Sequence, residues 1–564
     1  MSYDCLFYNL LLPIPIRFKK ETDSCYILQL TNKSGFTWEI SVKFVGNFPH
    51  SLPTAFLLNN GFIGRVAHVT ENGLICLEES DSIIINYNQP LSVLTLFIME
   101  IYNLLERSTL LIAQTELKDE FEGYFSNNLQ FVHSFYEARE KIEIVGLRII
   151  KKDFSNVSQP IIIYNKDEGL MNKYSDLGQI NQTLINILHI PLEFAILPPS
   201  KDEMQDLYEY TKKLFNRISP EHEEFIKKFL NQKKSLQFNF YILFSMPRSD
   251  YERTQFLTHF YFKEKVNHPL KDVSTQFEVR FYFLNRNNET YLKERGGSHQ
   301  NLSGKKVSIV GCGSVGGEIA MMLAKSGVGE LTLIDKDMLS QDNIFRHRLG
   351  GSSLTYLPAK DLKLSNKSKV LLLKSLIDKD VPYIKVNTKI NYFQELLEDK
   401  KLLNSDVVIV AVGSPMESLD INLKLKEIGL YNVIFCWNEA DSVGGHSIAL
   451  NLQKSCYECL YTNDNGFSLN NELSYVEIGQ NISKNITGCA GVFMAFSYLD
   501  SSQTALMASK QCIEMLLSKN IDSYALSWKT SSNTQLKVTD RFNKSNLQEK
   551  INLKQKSKCR VCNV

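Results

Sequence analysis

No apolar run in this chain approaches the ~18 residues that a bilayer-crossing helix requires, and its opening residues, interrupted by Asp4 and Pro13, have no basic stretch ahead of an apolar core. Net charge is nearly absent too: 63 basic residues stand against 62 acidic ones, leaving +1 at neutral pH, so no bulk field draws the chain to nucleic acid or to anionic lipid. Internal repeats and long low-complexity tracts are missing as well. The eleven cysteines show no disulfide-framework spacing, which points to a reducing compartment and a cytoplasmic protein. What is present, 43% hydrophobic and 22% charged residues, is the composition of an ordinary globular protein. The 564 residues suffice for three or four domains with sizeable cores.

The most informative stretch starts at Val307. Val307 to Val310 reads as a buried strand, Gly311, Gly313 and Gly316 give the G-x-G-x-x-G spacing, and Ile319, Met322 and Leu323 recur at helical intervals as far as Gly327. In that order the glycines permit a tight turn and close backbone approach, and the start of the helix offers unpaired N–H groups to phosphate oxygens. Leu331 to Ile334 is the next strand, and Asp335 at its end is placed for ribose hydroxyls. This much suits a nicotinamide enzyme as well as an ATP enzyme, although no acid–base residue for hydride transfer is evident.

The residues after that strand separate the two. Asp335, Asp337, Asn343, Arg346 and Lys369 resemble the adenylation signature of the MoeB/ThiF family and the related ubiquitin-activating enzymes, in which an acidic strand end runs into an N-x-x-R segment and then a lysine. The resemblance implies a Rossmann-like α/β fold, ATP with Mg²⁺, and attack of a carboxylate on the α-phosphate. That attack brings two anions together and needs cations to neutralise the developing charge, the task expected of Arg346 and Lys369. Relatives usually carry a Mg²⁺-binding Asp after the strand matching Val407 to Val412, where this chain has Gly413. Asp335 or Asp337 is then expected to hold the ion through water, because Mg²⁺ keeps several waters and needs few protein ligands. Relatives also form symmetric homodimers, in some of which an arginine upstream of the glycine loop reaches the partner's ATP; Arg295 is the candidate for that contact.

Cysteine spacing makes a second argument. Cys456 with Cys459 and Cys559 with Cys562 are two C-x-x-C pairs far apart in sequence, suited to tetrahedral Zn²⁺ with no open position, a structural site. MoeB/ThiF-like proteins share both pairs. Cys489 precedes a long stretch that reads as helix, so its sulfur is expected near a helix N-terminus, where a thiol pKa falls. Activating enzymes keep an acceptor cysteine in this half, which makes Cys489 the thioester candidate. Cys436 and Cys312 read as structural thiols.

The N-terminal part alternates as strands over 24–57, with Trp38, Ile40, Val42 and Phe44 on one face, then gives FPHSLP, then HVTENGLICL, then a helix-like run whose Leu91, Leu94, Ile98, Ile101 and Leu105 share a face. This order resembles ubiquitin-conjugating enzymes, and it implies that Cys76 is a thioester cysteine. Their His-Pro-Asn tripeptide has no counterpart, since His68 is followed by Val69 and Thr70. Asn72-Gly73 reads as a hairpin turn, and His68 as a packed histidine able to donate a hydrogen bond near Cys76.

The expected organisation is a multidomain α/β protein. An α+β conjugating-like domain over 1–143 is closed by a charged helix in FYEAREKIEI. A compact α/β middle domain, without a recognised motif, spans 144–290. A zinc-stapled, ThiF/MoeB-like adenylation domain fills 291–564. As a whole the chain resembles the fused activating and conjugating enzymes of CBASS antiphage operons. That resemblance implies a cyclic-oligonucleotide synthase (CD-NTase) as the protein whose C-terminus is adenylated, passed through thioesters and joined to an amine. A ubiquitin-like protein as substrate, or a sulfur-carrier adenylyltransferase, remains open.

Overall fold

In the computed structural model the described residues are 3–44, 48–77, 86–108, 111–124, 132–150, 161–165, 182–232, 239–249, 252–262, 267–272, 274–282, 284–355, 367–485, 492–518, 522–531 and 534–563. They fall into two compact units, one within residues 1–288 and one from Glu289 onward.

The first unit opens with an antiparallel meander of Ile16–Thr22, Cys25–Thr31, Thr37–Lys43 and Thr54–Leu57. Alternation drives it: Trp38, Ile40 and Val42 point to one face and are fully buried, each contributing roughly 1.5–3 kcal/mol of apolar burial. The helix Pro90–Arg107 starts with a proline at its first position, where a missing N–H costs nothing. Its Leu94, Ile98, Ile101 and Leu105, at helical spacing, complete the same core. Leu91 packs at the margin. The Trp38 indole donates to Glu106 at 2.7 Å, tying helix to sheet. A tight turn at Asn72-Gly73 follows the meander, closed by Thr70 N–H to Leu74 carbonyl at 3.0 Å, with Gly73 at φ 85°.

A mixed eight-stranded sheet forms the rest of this unit, in the order 277–282, 253–262, 239–247, 182–191, 143–150, 161–164, 132–134, 284–286. Helices Leu207–Phe215 and Glu223–Gln232 bring Leu214, Ile226, Phe229 and Leu230 into one apolar cluster with Ile242, Phe244 and Phe260 of the sheet. Two expectations are corrected here. Val132–Ser134 pairs with Leu284–Arg286 and Ile161–Tyr164, so a boundary at 143 would cut this sheet. The charged helix expected in Phe135–Ile144 does not form: 135–142 have no regular structure and lead into the strand Glu143–Ile150; Val145 and Leu147 bury on the sheet, and tertiary pairing outweighs the local helical pattern.

The second unit is a doubly wound α/β layer. Parallel strands run in the order Lys385–Lys389, Glu330–Ile334, Lys306–Val310, Val407–Val410, Asn432–Asn438, and the sheet continues antiparallel through Gly444–Asn451, Tyr524–Lys529 and Gln548–Asn552. Helices Ser314–Lys325 and Tyr498–Leu517 share one core with Val307, Ile309 and Leu331. Ile421 and Leu425 of helix Pro415–Glu427 share the other with Val408, Val410 and Phe435. Lys306–Val310 has Glu330–Ile334 on one side and Val407–Val410 on the other. The chain order reverses there, which opens a crevice at the carboxyl ends of the strands. No helix among the described residues is long and apolar enough to cross a membrane.

Candidate active site

The crevice is shaped by glycine geometry. Gly311 sits at φ 84°, and a Cβ on it would stand 2.7 Å from the Ala411 carbonyl oxygen. On Gly316 a Cβ would lie 1.9 Å from the Gly311 carbonyl oxygen, an overlap that only backbone displacement relieves. Gly316→Ala should therefore lower the melting temperature and abolish nucleotide binding together, read by thermal unfolding with and without ATP. Unchanged ATP affinity would show that the loop does not hold the phosphates. Helix Ser314–Lys325 begins at Gly313 with no side-chain cap, so its first N–H groups remain for an anion.

Asp335 is the keystone of this loop. One of its carboxylate oxygens accepts the Cys312 N–H at 2.7 Å, the other the Asp337 N–H at 2.7 Å. Lys369 opens the helix Lys369–Asp380; its N–H donates to the Asp337 carbonyl at 3.1 Å and its ammonium meets the Asp337 carboxylate at 3.2 Å. Gly311, Gly313, Asp335, Asp337 and Lys369 line one cleft of about 230 Å³. Of the expected site residues these five are brought together. Lys336 and Tyr392 also line it, with the Lys336 ammonium 2.8 Å from the Tyr392 hydroxyl.

The others lie elsewhere. Gly316 stands behind the loop as a packing residue. The Asn343 side-chain oxygen accepts from the Ser340 N–H at 3.1 Å and from its hydroxyl at 3.2 Å, capping the turn Gln341–Asn343. Arg346 donates to the Met494 carbonyl at 3.3 Å, with its guanidinium 5.2 Å from the Phe496 ring centre. Arg295 ends the short helix Glu289–Arg295 and is exposed.

Sequence reasoning missed His347. Its Nε2 donates to the Cys312 carbonyl at 2.9 Å and its Nδ1 accepts from the Leu349 N–H at 3.0 Å, a pattern that fixes one neutral tautomer. Burial pushes its pKa down to about 4, so at neutral pH it buttresses the loop without adding charge.

Beyond Gly413, at φ 72° with no atom within 4 Å of a Cβ built on it, a larger cavity of about 760 Å³ extends past Trp437, Tyr457, Ile478 and Met494. Met494 lines this cavity, and its carbonyl accepts the Arg346 hydrogen bond.

The sulfurs of Cys456, Cys459, Cys559 and Cys562 all lie within 4.8 Å of one another, with neighbours at 3.4, 3.6 and 3.9 Å. Four thiolates at ~2.3 Å from one tetrahedral zinc ion stand ~3.8 Å apart, so the donor set fits that metal. Cys436 and Cys312 are buried, and burial pushes the Cys436 thiol up to about 12 and the Cys312 thiol well above its ordinary range, as suits structural thiols.

Cys76 is exposed. Its N–H donates to the His68 carbonyl at 2.8 Å, and partial burial, then Glu120, raises its thiol. Cys489 lies outside the described residues. The helix expected directly after it begins at Tyr498, so the helix-terminus argument for an acidic thiol loses its basis. Ser497 and Asp500 form a reciprocal capping box there, a Ser-x-x-Asp signal legible in the sequence.

The ThiF family profile matches residues 286–561. The ATP-dependent ubiquitin transferase-like protein Cap2 of Pseudomonas aeruginosa is 26% identical over 253 residues, 43% of this chain and 42% of that protein. Its namesake from Escherichia coli is 24% identical over 224 residues, 38% of this chain and 35% of that protein. The chain thus spans less than half the length of these curated relatives. A crystal structure of E. coli MccB with ATP matches 46% of this chain and 68% of its own at 19% identity, with a TM-score of 0.31.

Proposed function

Residues 286–561 are a ThiF-family domain, and from that premise we propose that the chain adenylates the C-terminal carboxylate of a partner protein and conjugates it to an amine. The observation that carries this reading is the cleft in which Lys369 faces Asp337 beside an uncapped, glycine-opened helix start. Helix N–H groups bind phosphate oxygens, Lys369 neutralises the charge that develops as the carboxylate attacks the α-phosphate, and pyrophosphate leaves. Arg346, bonded to the carbonyl of Met494, which lines the larger cavity, draws the incoming carboxylate toward the cleft. Asp337, whose carboxylate is more than half exposed, is the group to hold Mg²⁺ through water, an ion that screens the phosphates when bound. The four-cysteine cluster holds structural zinc.

Cys489 then displaces AMP to form a thioester, Cys76 takes the acyl group, and an amine receives it. The similarity to Cap2 and the order of the N-terminal elements support a fused activating and conjugating enzyme of the CBASS type, working as a homodimer with Arg295 toward the partner's nucleotide. On this reading the substrate is a CD-NTase or a ubiquitin-like protein. Cys76→Ala should leave ATP–pyrophosphate exchange within about two-fold of wild type, because Cys76 acts only after adenylation, and should abolish amide-linked product. Mass spectrometry of reactions with ATP and candidate partner proteins would check this; conjugates that persist without Cys76 overturn the two-thiol scheme.

A further inference from the structure

At His68-Val69-Thr70 the sequence lacks the asparagine of the tripeptide that ubiquitin-conjugating enzymes carry, yet the surroundings of Cys76 are not featureless. His68 holds a left-handed backbone, φ 61°, a conformation that non-glycine residues keep only when their neighbours impose it. Its N–H donates to one Glu120 carboxylate oxygen at 2.7 Å, while its ring Nδ1 lies 2.8 Å from the other. Its carbonyl accepts the Cys76 N–H. One residue is therefore clamped to a carboxylate at one end of its backbone and to the exposed cysteine at the other. The groups that face its Nε2 are the Arg107 guanidinium at 3.4 Å, from the end of helix Pro90–Arg107, and the Glu116 carboxylate at 4.0 Å. That Glu116 oxygen is buried with no hydrogen-bond partner among the described residues, an arrangement that calls for a cation or a donor.

We propose that His68, oriented by Glu120, accepts the proton of an incoming primary amine that attacks a thioester on Cys76, with Glu116 drawing the ammonium group in. The proposal rests on the reading of Cys76 as an acyl carrier. A lysine ammonium has no lone pair at neutral pH and must lose a proton first. With Nδ1–H donated to Glu120, the Nε2 lone pair, released from the Arg107 N–H that it meets at 3.4 Å, takes one proton from the ammonium, and the freed nitrogen forms the C–N bond. The C–S bond breaks, the imidazolium protonates the departing Cys76 thiolate, and the second nitrogen proton goes to water. The Glu120 hydrogen bond raises the His68 pKa above its ordinary 6.5, against burial and Arg107. The free base is thus reached at a higher pH than in an ordinary imidazole.

The test uses the full chain with Cys76 charged chemically by a glycylglycine benzyl thioester, so that it does not depend on ATP-driven loading. Discharge of the Cys76 acyl group is followed by mass spectrometry after adding free lysine or hydroxylamine, the second being neutral at pH 7 and needing no base. His68→Gln should slow lysine discharge at least ten-fold at pH 7, with recovery above pH 9, and leave hydroxylamine discharge within two-fold. Glu120→Gln should move the break in the lysine pH–rate curve downward, toward 6.5, and this comparison with wild type decides the matter if His68→Gln does not fold. Equal slowing of both nucleophiles, no slowing of either, or an unmoved break would overturn the proposal. If ATP-dependent charging of Cys76 fails while chemically charged protein behaves as expected, the reading of the natural acyl donor falls and the base remains.

Discussion

Replacing Lys369 with alanine is expected to lower ATP–pyrophosphate exchange ~10²–10³-fold, the scale of removing one pre-positioned charge from a reacting oxyanion, with little change in stability. The position of the lysine gives the reason. It is the first residue of the helix Lys369–Asp380 and its side chain is only 10% exposed, whereas a cation at a helix N-terminus is disfavoured by the backbone dipole. Among the described residues its carboxylate partner is Asp337, which is more than half exposed, and solvent on that side screens the pair, keeping its contribution to about 1 kcal/mol. A charge kept where it does little for the fold is explained by what it does for a ligand. Alanine is also a better helix former, so the melting temperature should stay within a few degrees. Lys369→Arg is not expected to rescue the rate, because a planar five-donor fork does not replace a point charge in a cleft of about 230 Å³. Exchange at the wild-type rate in the alanine variant would remove Lys369 from the mechanism.

The same lysine shows how much of the site could be read before the fold was known. Strand, glycine turn and helix from Val307 to Gly327 were legible because each signal is local: β-branched residues, a spacing of glycines, a 3.6-residue period. So was the cysteine quartet, whose two short spacings come together as one four-sulfur cluster. Contacts made by tertiary neighbours were not. His347 supports the phosphate loop through the Cys312 carbonyl, 35 residues away in sequence, and nothing local distinguishes it from a surface histidine. Asn343 and Arg346 carry the family spacing, yet their contacts here are a turn cap and the Met494 carbonyl, which no motif encodes. Val132–Ser134 joins the second sheet through Leu284–Arg286, a pairing over some 150 residues that periodicity cannot see. The start at Tyr498 instead of directly after Cys489 is a different case, since the Ser497 and Asp500 box was visible and outweighed by an apolar pattern.

Removal of zinc is expected to have the largest effect on stability. The purified protein should contain one zinc ion per chain, and stripping it, or substituting Cys559 and Cys562 by serine, should lower the melting temperature by more than about 10 °C. Cys456 and Cys459 are buried in the core that holds Phe435, Ile421 and Tyr457. Cys559 and Cys562 reach them across 103 residues of sequence. Without a metal, four polar sulfurs would crowd within 4.8 Å in an apolar setting, with only weak thiol hydrogen bonds to relieve them. With it, apparent binding free energies in small zinc modules reach ~10–16 kcal/mol, comparable with the ~5–15 kcal/mol that stabilises a whole domain. Even half of that, ~5–8 kcal/mol, corresponds to ~10 °C or more at ~2–4 °C per kcal/mol. The Lys426 ammonium donates to the Val561 carbonyl at 2.5 Å and the Arg560 N–H to Glu458 at 3.0 Å, so the tail should detach as a piece when the ion leaves. Hydrogen exchange would show it as loss of protection at 556–563 and at 456–461. Tyr457 and Tyr461 line the larger cavity, so on the proposed reading adenylation of a protein substrate should weaken while ATP binding in the separate cleft persists. A disulfide framework makes the opposite forecast: reducing agent would destabilise the protein, a chelator would not, and metal analysis would find no zinc.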